Sequence, residues 1–252
     1  MDPERQRLLD LYRELRVTDV ADGLDMLGYQ DIGLMDPAIR PLVRDVVNLT
    51  HRFVGFAHTL RFVPTNHPVT ARTPDEMRAF IRDWYRQLAS GPQMEIHAGD
   101  VVVIDGADTR VGFAGSNNTL SWILRGAVGV VTNGGARDTD ELIRQGCRVY
   151  CARIEKTIRP ARLEFNAEQV PINCGGVLVK PEDVVVADGD GVVVVPRDFA
   201  DQVATYAREV AEGDRQKRRA LYKQGGLAED DSVLPLSEIE SRSRPKPGGA
   251  AD

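Results

Sequence analysis

Cysteine and histidine are scarce in this chain, and their scarcity removes several kinds of site at once. The three cysteines, Cys147, Cys151 and Cys174, are an odd set without a CxxC pair, which reads as buried reduced thiols rather than a disulfide framework or a zinc site. The four histidines, His51, His58, His67 and His97, stand at no ligand-like spacing, and His58, inside a strand pattern, reads as a core or surface residue. No apolar run reaches the roughly 18 residues that cross a bilayer. The start Met1-Asp2-Pro3-Glu4-Arg5 lacks the basic flank and apolar stretch of a secretory signal, so the expected setting is the cytoplasm, with no membrane partner. Positive charge is not in excess either. Lys and Arg number 32 against 38 Asp and Glu, a net charge of -6, which argues against nucleic acid as the main partner. The basic run Arg215-Gln216-Lys217-Arg218-Arg219 reads as a solvated helix face. Asp188-Gly189-Asp190-Gly191 lacks the glutamate that completes a calcium loop and reads as a hairpin turn. There is no internal repeat.

What the chain does have is enough apolar content for one full core: 252 residues, 42% hydrophobic and 28% charged. Strand and helix signals alternate, the mark of an α/β fold. Glu4 to Leu15 has helical spacing, and Thr18-Asp19 opens a short helix that Gly28 ends. Phe53 to Val63 reads as a strand. Thr73-Pro74-Asp75-Glu76 is a capping box with proline at the first helical position, so a helix is expected over Pro74 to Ala89, stopped by a turn at Gly91-Pro92. Val101 to Ile104, Ala127 to Thr132 and Arg148 to Ala152 read as buried strands separated by helices Asn117 to Leu124 and Thr139 to Gln145. Val177 to Val179, Val184 to Ala187 and Gly191 to Val195 form a hairpin-rich β portion, followed by a long helix from Asp198 to Lys223. One domain over 1–227 and a flexible tail over 228–252 are expected, the stretch Ser237 to Asp252 being rich in Ser, Arg, Pro and Gly.

The chemistry concentrates in Gly115-Ser116-Asn117-Asn118 and, with twenty residues between it and Ser116, in Arg137-Asp138 with Glu141 close behind. A glycine loop that opens a helix attracts negative charge to its free N–H groups. A guanidinium offers a two-pronged donor to a carboxylate, and a carboxylate can hold a hard divalent cation. Between the two segments lie the apolar strand Ala127 to Thr132 and what reads as a turn, Asn133-Gly134-Gly135-Ala136. The same residues have a plainer reading. Asp138 with Glu141 three positions on is a helix-start signature, and Ser116 is a helix cap. Spacing alone favours the plainer reading.

Longer segments carry a resemblance. Gly99-Asp100-Val101-Val102-Val103-Ile104-Asp105-Gly106, Gly115-Ser116, and Gly126-Ala127-Val128-Gly129-Val130-Val131-Thr132-Asn133-Gly134-Gly135-Ala136-Arg137-Asp138 are similar to the family that contains the regulator of ribonuclease activity A and the 4-hydroxy-4-methyl-2-oxoglutarate aldolases. Thr18 to Leu24, Phe53 to Leu60, Pro171 to Val177 and Ala187 to Pro196 agree in the same order, so the resemblance spans residues 17 to 225. It implies an α/β/β/α sandwich with a swivelling β/α/β-type core, and a homotrimer, sometimes doubled to a hexamer, with sites between subunits. It further implies a divalent-metal-dependent lyase that releases pyruvate from a small 2-oxo acid, by decarboxylation or by retro-aldol cleavage. Carried over residue by residue, Asp138 is the ligand of Mg²⁺ or Mn²⁺, and Arg137 holds the pyruvyl oxygens. The N–H groups of Gly115, Ser116, Asn117, Asn118 and Thr119 grip the carboxylate, and Glu141 orients water on the metal. The candidate catalytic residues are thus Arg137, Ser116 and Glu141. The chain departs from the aldolases at Ser116, where they carry an aspartate; a neutral serine takes no proton from an alcohol, which leaves Asp108 or Glu141 as substitute bases. The family also holds a non-catalytic regulator, so a binding protein is the alternative.

Overall fold

In the computed structural model the described residues are 1–88 and 94–243, so the expected turn at Gly91-Pro92, the end of its helix at Ala89 and the stretch 244–252 lie outside them. The Asp2 carboxylate accepts a hydrogen bond from the Arg5 amide (3.3 Å), and Pro3 takes the first helical position of α1 (Pro3–Tyr12). Helix α2 (Val17–Met26) starts where Asp19 reaches back to the Arg16 amide (2.8 Å) and ends before Gly28 at φ 80°. Next come β1 (Arg40–Pro41), β2 (Phe53–Pro64) and α3 (Pro74–Gln87), where Thr73 and Glu76 exchange backbone bonds of 3.2 Å. The central part runs β3 (Asp100–Asp105), β4 (Gly112–Ala114), α4 (Ser116–Leu124), β5 (Gly129–Ala136), α5 (Thr139–Arg144) and β6 (Val149–Ile154). Strands β7 (Leu163–Glu168), β8 (Ile172–Cys174), β9 (Val177–Val179), β10 (Val184–Asp188) and β11 (Gly191–Val195) follow, then α6 (Ala200–Gly225) and α7 (Leu236–Ser243).

Among the described residues nine strands share one sheet in the order β1-β6-β5-β3-β2-β10-β11. Its middle, β2, β3, β5 and β6, is parallel, as the intervening helices require. β4 extends the parallel run beside the end of β5, whereas β1, β7, β10 and β11 pair antiparallel. The sheet nearly closes on itself. Leu34 bridges Val193 on the free side of β11, the chain then enters β1, and Arg40 donates to the Asp190 carbonyl (3.0 Å).

Alternation along the strands builds three apolar layers, and these make the fold the expected α/β/β/α sandwich. Val184, Val186, Val193 and Val195 face α1, α2 and α6, while their neighbours Val185, Ala187, Val192 and Val194 face inward to Val101, Val103 and Val131. Val102, Ile104 and Val130 point the other way, onto Trp122 of α4 and Leu142 of α5. No helix among the described residues is long and apolar enough to cross a membrane.

Two local expectations change. Asn133-Gly134-Gly135-Ala136 is strand, not turn: β5 continues to Ala136, with Gly135 opposite Gly112 and Ala136 opposite Ala114. The glycines serve close approach instead. A Cβ on Gly134 would lie 2.7 Å from the Phe113 ring, and one on Gly135 would lie 2.5 Å from Glu155 Cγ. The stretch after Gly226, expected as a tail, buries Val233, Leu234, Leu236 and Ile239; Leu236 joins the α1–α2–α6 layer and Arg215 donates to the Asp231 and Leu234 carbonyls.

His58 is a core residue of a particular kind. Its Nε2 lies 2.7 Å from Glu168, its Nδ1 3.6 Å from Asp100, and Arg5 of α1 pairs with both Asp100 and Glu182. Burial lowers the imidazole pKa, but the Asp100 and Glu168 carboxylates outweigh burial and hold it above its ordinary value. Folding therefore favours the imidazolium. Its contribution is complete below the unfolded pKa of about 6.5 and is lost as pH rises through the folded value. His58→Gln should remove that part of the pH dependence in denaturant melts between about pH 6 and 9; an unchanged profile would contradict the assignment. Gly134→Ala should destabilise by about 1–3 kcal/mol through the Phe113 clash. Gly213→Ala, in α6 with nothing within 4 Å, should stabilise by about 0.5–1 kcal/mol in the same melts.

Candidate functional site

Strand β5 delivers Arg137 and Asp138 to the place where β4 gives way to α4. The Arg137 amide donates to the Ala114 carbonyl (3.1 Å), and the Arg137 stem lies over two glycines that leave room for it. A Cβ on Gly112 would sit 3.0 Å from its Cγ and Cδ, and one on Gly115 would sit 3.2 Å from Asp138 Oδ2. Gly112 and the carbonyls of Ala114 and Thr157 are parts of the site that sequence reading missed; a glycine inside an apolar run was the available signal.

The side chain of Asp138 does not serve the helix that it precedes. Asp138 stands before α5 in a left-handed conformation, φ 55° and ψ 42°, and its side chain makes no capping bond to its own helix. The carboxylate turns instead to the start of α4, accepting from the Ser116 amide (3.3 Å) through Oδ2 and from Arg137 Nε (3.2 Å) through Oδ1. Both side chains are about one-third exposed. Ser116 offers no side-chain cap either, since the residue before α4 is Gly115. Neither side chain caps the helix next to it in sequence, and the Asp138 carboxylate meets the first amide of α4 instead.

Gly115 and Thr119 are buried, and their amides donate to the Phe113 and Gly115 carbonyls (3.0 Å each), so they do not grip a carboxylate as expected; Ser116 is half-buried, and Asn117 and Asn118 are exposed at the first turn of α4, where the leading N–H groups lack a partner within the helix. Thr119 Oγ1 is buried without a hydrogen-bond partner. The structure thus brings Gly115, Ser116, Arg137 and Asp138 together, with Asn117, Asn118 and Thr119 alongside. Glu141 is exposed one turn into α5, and Asp108 is exposed in the loop before β4; no hydrogen bond or ion pair joins either side chain to Arg137 or Asp138. Among the described residues no group of three or more His, Cys, Asp or Glu could by itself hold a metal ion. The three cysteines are free, and burial pushes each thiol pKa up, so none supplies a nucleophile.

The arrangement can hold a small oxyanion between a guanidinium and a helix start, with one carboxylate beside it. Known proteins are similar to the chain in sequence and fold. The sequence profile of the RraA-like family, described as aldolase/RraA, matches residues 17–194. A protein of Deinococcus radiodurans provisionally named 4-hydroxy-4-methyl-2-oxoglutarate aldolase is 33% identical over 158 residues, 62% of this chain and 84% of that protein. An uncharacterized protein from Pseudomonas syringae pv. tomato has a solved structure that matches with a TM-score of 0.67 at 25% identity, over 91% of this chain and 98% of its own. RraAS2 of Streptomyces coelicolor, described as an unusual member of the RNase ES inhibitor RraA protein family, shares the fold with a TM-score of 0.66 at 24% identity, over 86% and 97% of the two chains. With that profile spanning most of its length and all of its central sheet, the chain belongs to the RraA-like family.

Proposed function

We propose that the chain is a divalent-metal-dependent lyase acting on a small 2-oxo acid, releasing pyruvate by decarboxylation of an oxaloacetate-type acid or by retro-aldol cleavage of a 4-hydroxy-2-oxo acid. The observation that carries this reading is the Asp138 carboxylate, turned away from its own helix and set beside Arg137 at the start of α4. The aldolase name of the Deinococcus relative supports the same class.

The donor set fits Mg²⁺ or Mn²⁺ held by Asp138, because such ions keep several waters and use one or two carboxylates together with substrate oxygens. When bound, the ion supplies Lewis-acid stabilisation of the negative charge that develops on the 2-oxo group. Arg137 engages Asp138 through Nε, which leaves its two terminal nitrogens to bind the acid. The first-turn amides of Asn117 and Asn118 take the carboxylate, and Gly115 keeps the floor low enough for it to approach. Ser116 adds a hydroxyl but no base. Decarboxylation needs no proton taken from an alcohol, whereas retro-aldol cleavage does. The chain therefore favours decarboxylation. Because Glu141 and Asp108 stand apart from the pair within one chain, we further propose a homotrimer or hexamer whose neighbouring subunit completes the site. A second reading, a non-catalytic binding protein, is favoured by the single carboxylate and by the fold shared with RraAS2.

Pyruvate release from oxaloacetate, compared with and without chelator, separates the two readings: metal-dependent release supports the lyase, and its absence the binding protein. Asp138→Asn should abolish Mn²⁺ binding in calorimetric titrations and leave stability within about 0.5 kcal/mol, since asparagine also tolerates the left-handed conformation. Retained Mn²⁺ affinity would remove Asp138 as the ligand. Ser116→Asp should raise 4-hydroxy-4-methyl-2-oxoglutarate cleavage relative to decarboxylation by about 10²-fold, the usual effect of a positioned base. An efficient wild-type cleavage that the substitution leaves unchanged would place the base elsewhere. Light scattering should give a mass at least three times that of the 252-residue chain, against which a monomer would count.

A further inference from the structure

A second cavity, of about 270 Å³, opens at the far end of α5 from Asp138, where Ile143, Gly146 and Cys147 meet β1, β6 and the loop before β2. Its walls are mainly apolar, among them Leu42, Ile143 and Val149, and its polar lining includes His51, Thr50 and Arg148. His51 is only 5% exposed, yet its Nδ1 has no hydrogen-bond partner. Buried polar atoms are seldom left so. The Tyr150 hydroxyl donates to the His51 carbonyl (3.1 Å) and fixes the backbone there. Arg148 donates from Nε to the Thr50 carbonyl (2.7 Å), and among the described residues no carboxylate pairs with its guanidinium.

The charges around this pocket favour an anion. Arg44 and Arg52 face His51 together with Asp45 and Asp188. Both acids are already engaged: Asp45 accepts from the Val47 and Asn48 amides and the Thr50 hydroxyl, and Asp188 accepts from the Val17 and Asp190 amides. The cations have no such satisfaction from carboxylates. Burial and Arg44 hold the His51 imidazole below its usual titration range, so at pH 7 it offers one N–H and one acceptor nitrogen rather than a second charge. One guanidinium and a neutral ring suit a single negative charge, and a volume just under the roughly 300–1,000 Å³ of drug-sized pockets suits a small molecule.

We propose that this cavity binds a short-chain monocarboxylate, its alkyl part against Leu42, Ile143 and Val149 and its carboxylate on Arg148 and His51. Hexanoate titrated calorimetrically into the full chain should bind saturably, and hexylammonium of the same length should not. Arg148→Gln, at an exposed position, should weaken hexanoate about tenfold or more through the lost charge-assisted bond; Ile143→Ser should weaken it as well. Binding should persist in Asp138→Asn, which separates this pocket from the candidate site. Absent saturation, equal binding of hexylammonium, an unaffected Arg148→Gln, or loss of binding in Asp138→Asn would each overturn the proposal. So would the assignment of this rim to a second copy of the chain, read as absent hexanoate binding together with a fall in assembly mass on Val47→Asp, since Val43, Val46 and Val47 stand exposed beside it.

Discussion

Close backbone approach at the end of β5 is the constraint on which the rest of the site depends. With glycine at 134 and 135, the Phe113 ring and the Glu155 stem lie against the strand itself, and β5 stays extended between β4 and β6 as far as Ala136. Only then do Arg137 and Asp138 reach the start of α4. A side chain at either glycine would have to displace Phe113, which packs on Phe62 with ring centroids 5.0 Å apart, or Glu155. The left-handed conformation of Asp138 has a cost of about 1 kcal/mol, less for aspartate than for most residues. Its carboxylate offsets part of that by accepting from Ser116 and Arg137. A strained residue whose polar group serves another element is a common sign of a working site.

Much of the fold was legible because its strands are long valine runs with helices between them. Val101 to Ile104 and Gly191 to Val195 could be little else than buried strands, and Thr73 to Glu76 announced α3 through its capping box. What escaped was short or compositionally ambiguous. β4 has three residues, too few for any period to show, and β7 mixes polar residues along its half-buried length. Gly134-Gly135 was read as a turn because paired glycines serve tight turns and close approach alike, and only the Phe113 and Glu155 contacts tell them apart. The stretch around Val233 and Leu236 sits in a polar, proline-bearing context whose composition hid four buried apolar residues.

The site was legible in a different way. That Arg137 and Asp138 meet Gly115 and Ser116 came from resemblance to a family, while spacing alone favoured a cap signature. In the structure the carboxylate leaves its own helix uncapped and faces the start of α4. Glu141, carried over from the resemblance, and Asp108, weighed as a substitute base, both stand apart from Arg137 and Asp138 in the single chain. Membership of the RraA-like family fixes the fold more tightly than the activity, since the same scaffold can host a lyase or a regulator and the difference rests on a few side chains.

The most direct test of this account is anomalous diffraction from crystals grown with Mn²⁺ and pyruvate. The account predicts a manganese peak on the Asp138 carboxylate and pyruvate between Arg137 and the first turn of α4. Pyruvate bound elsewhere, or Asp138 bonded only to Ser116 and Arg137 with no manganese beside it, would contradict it.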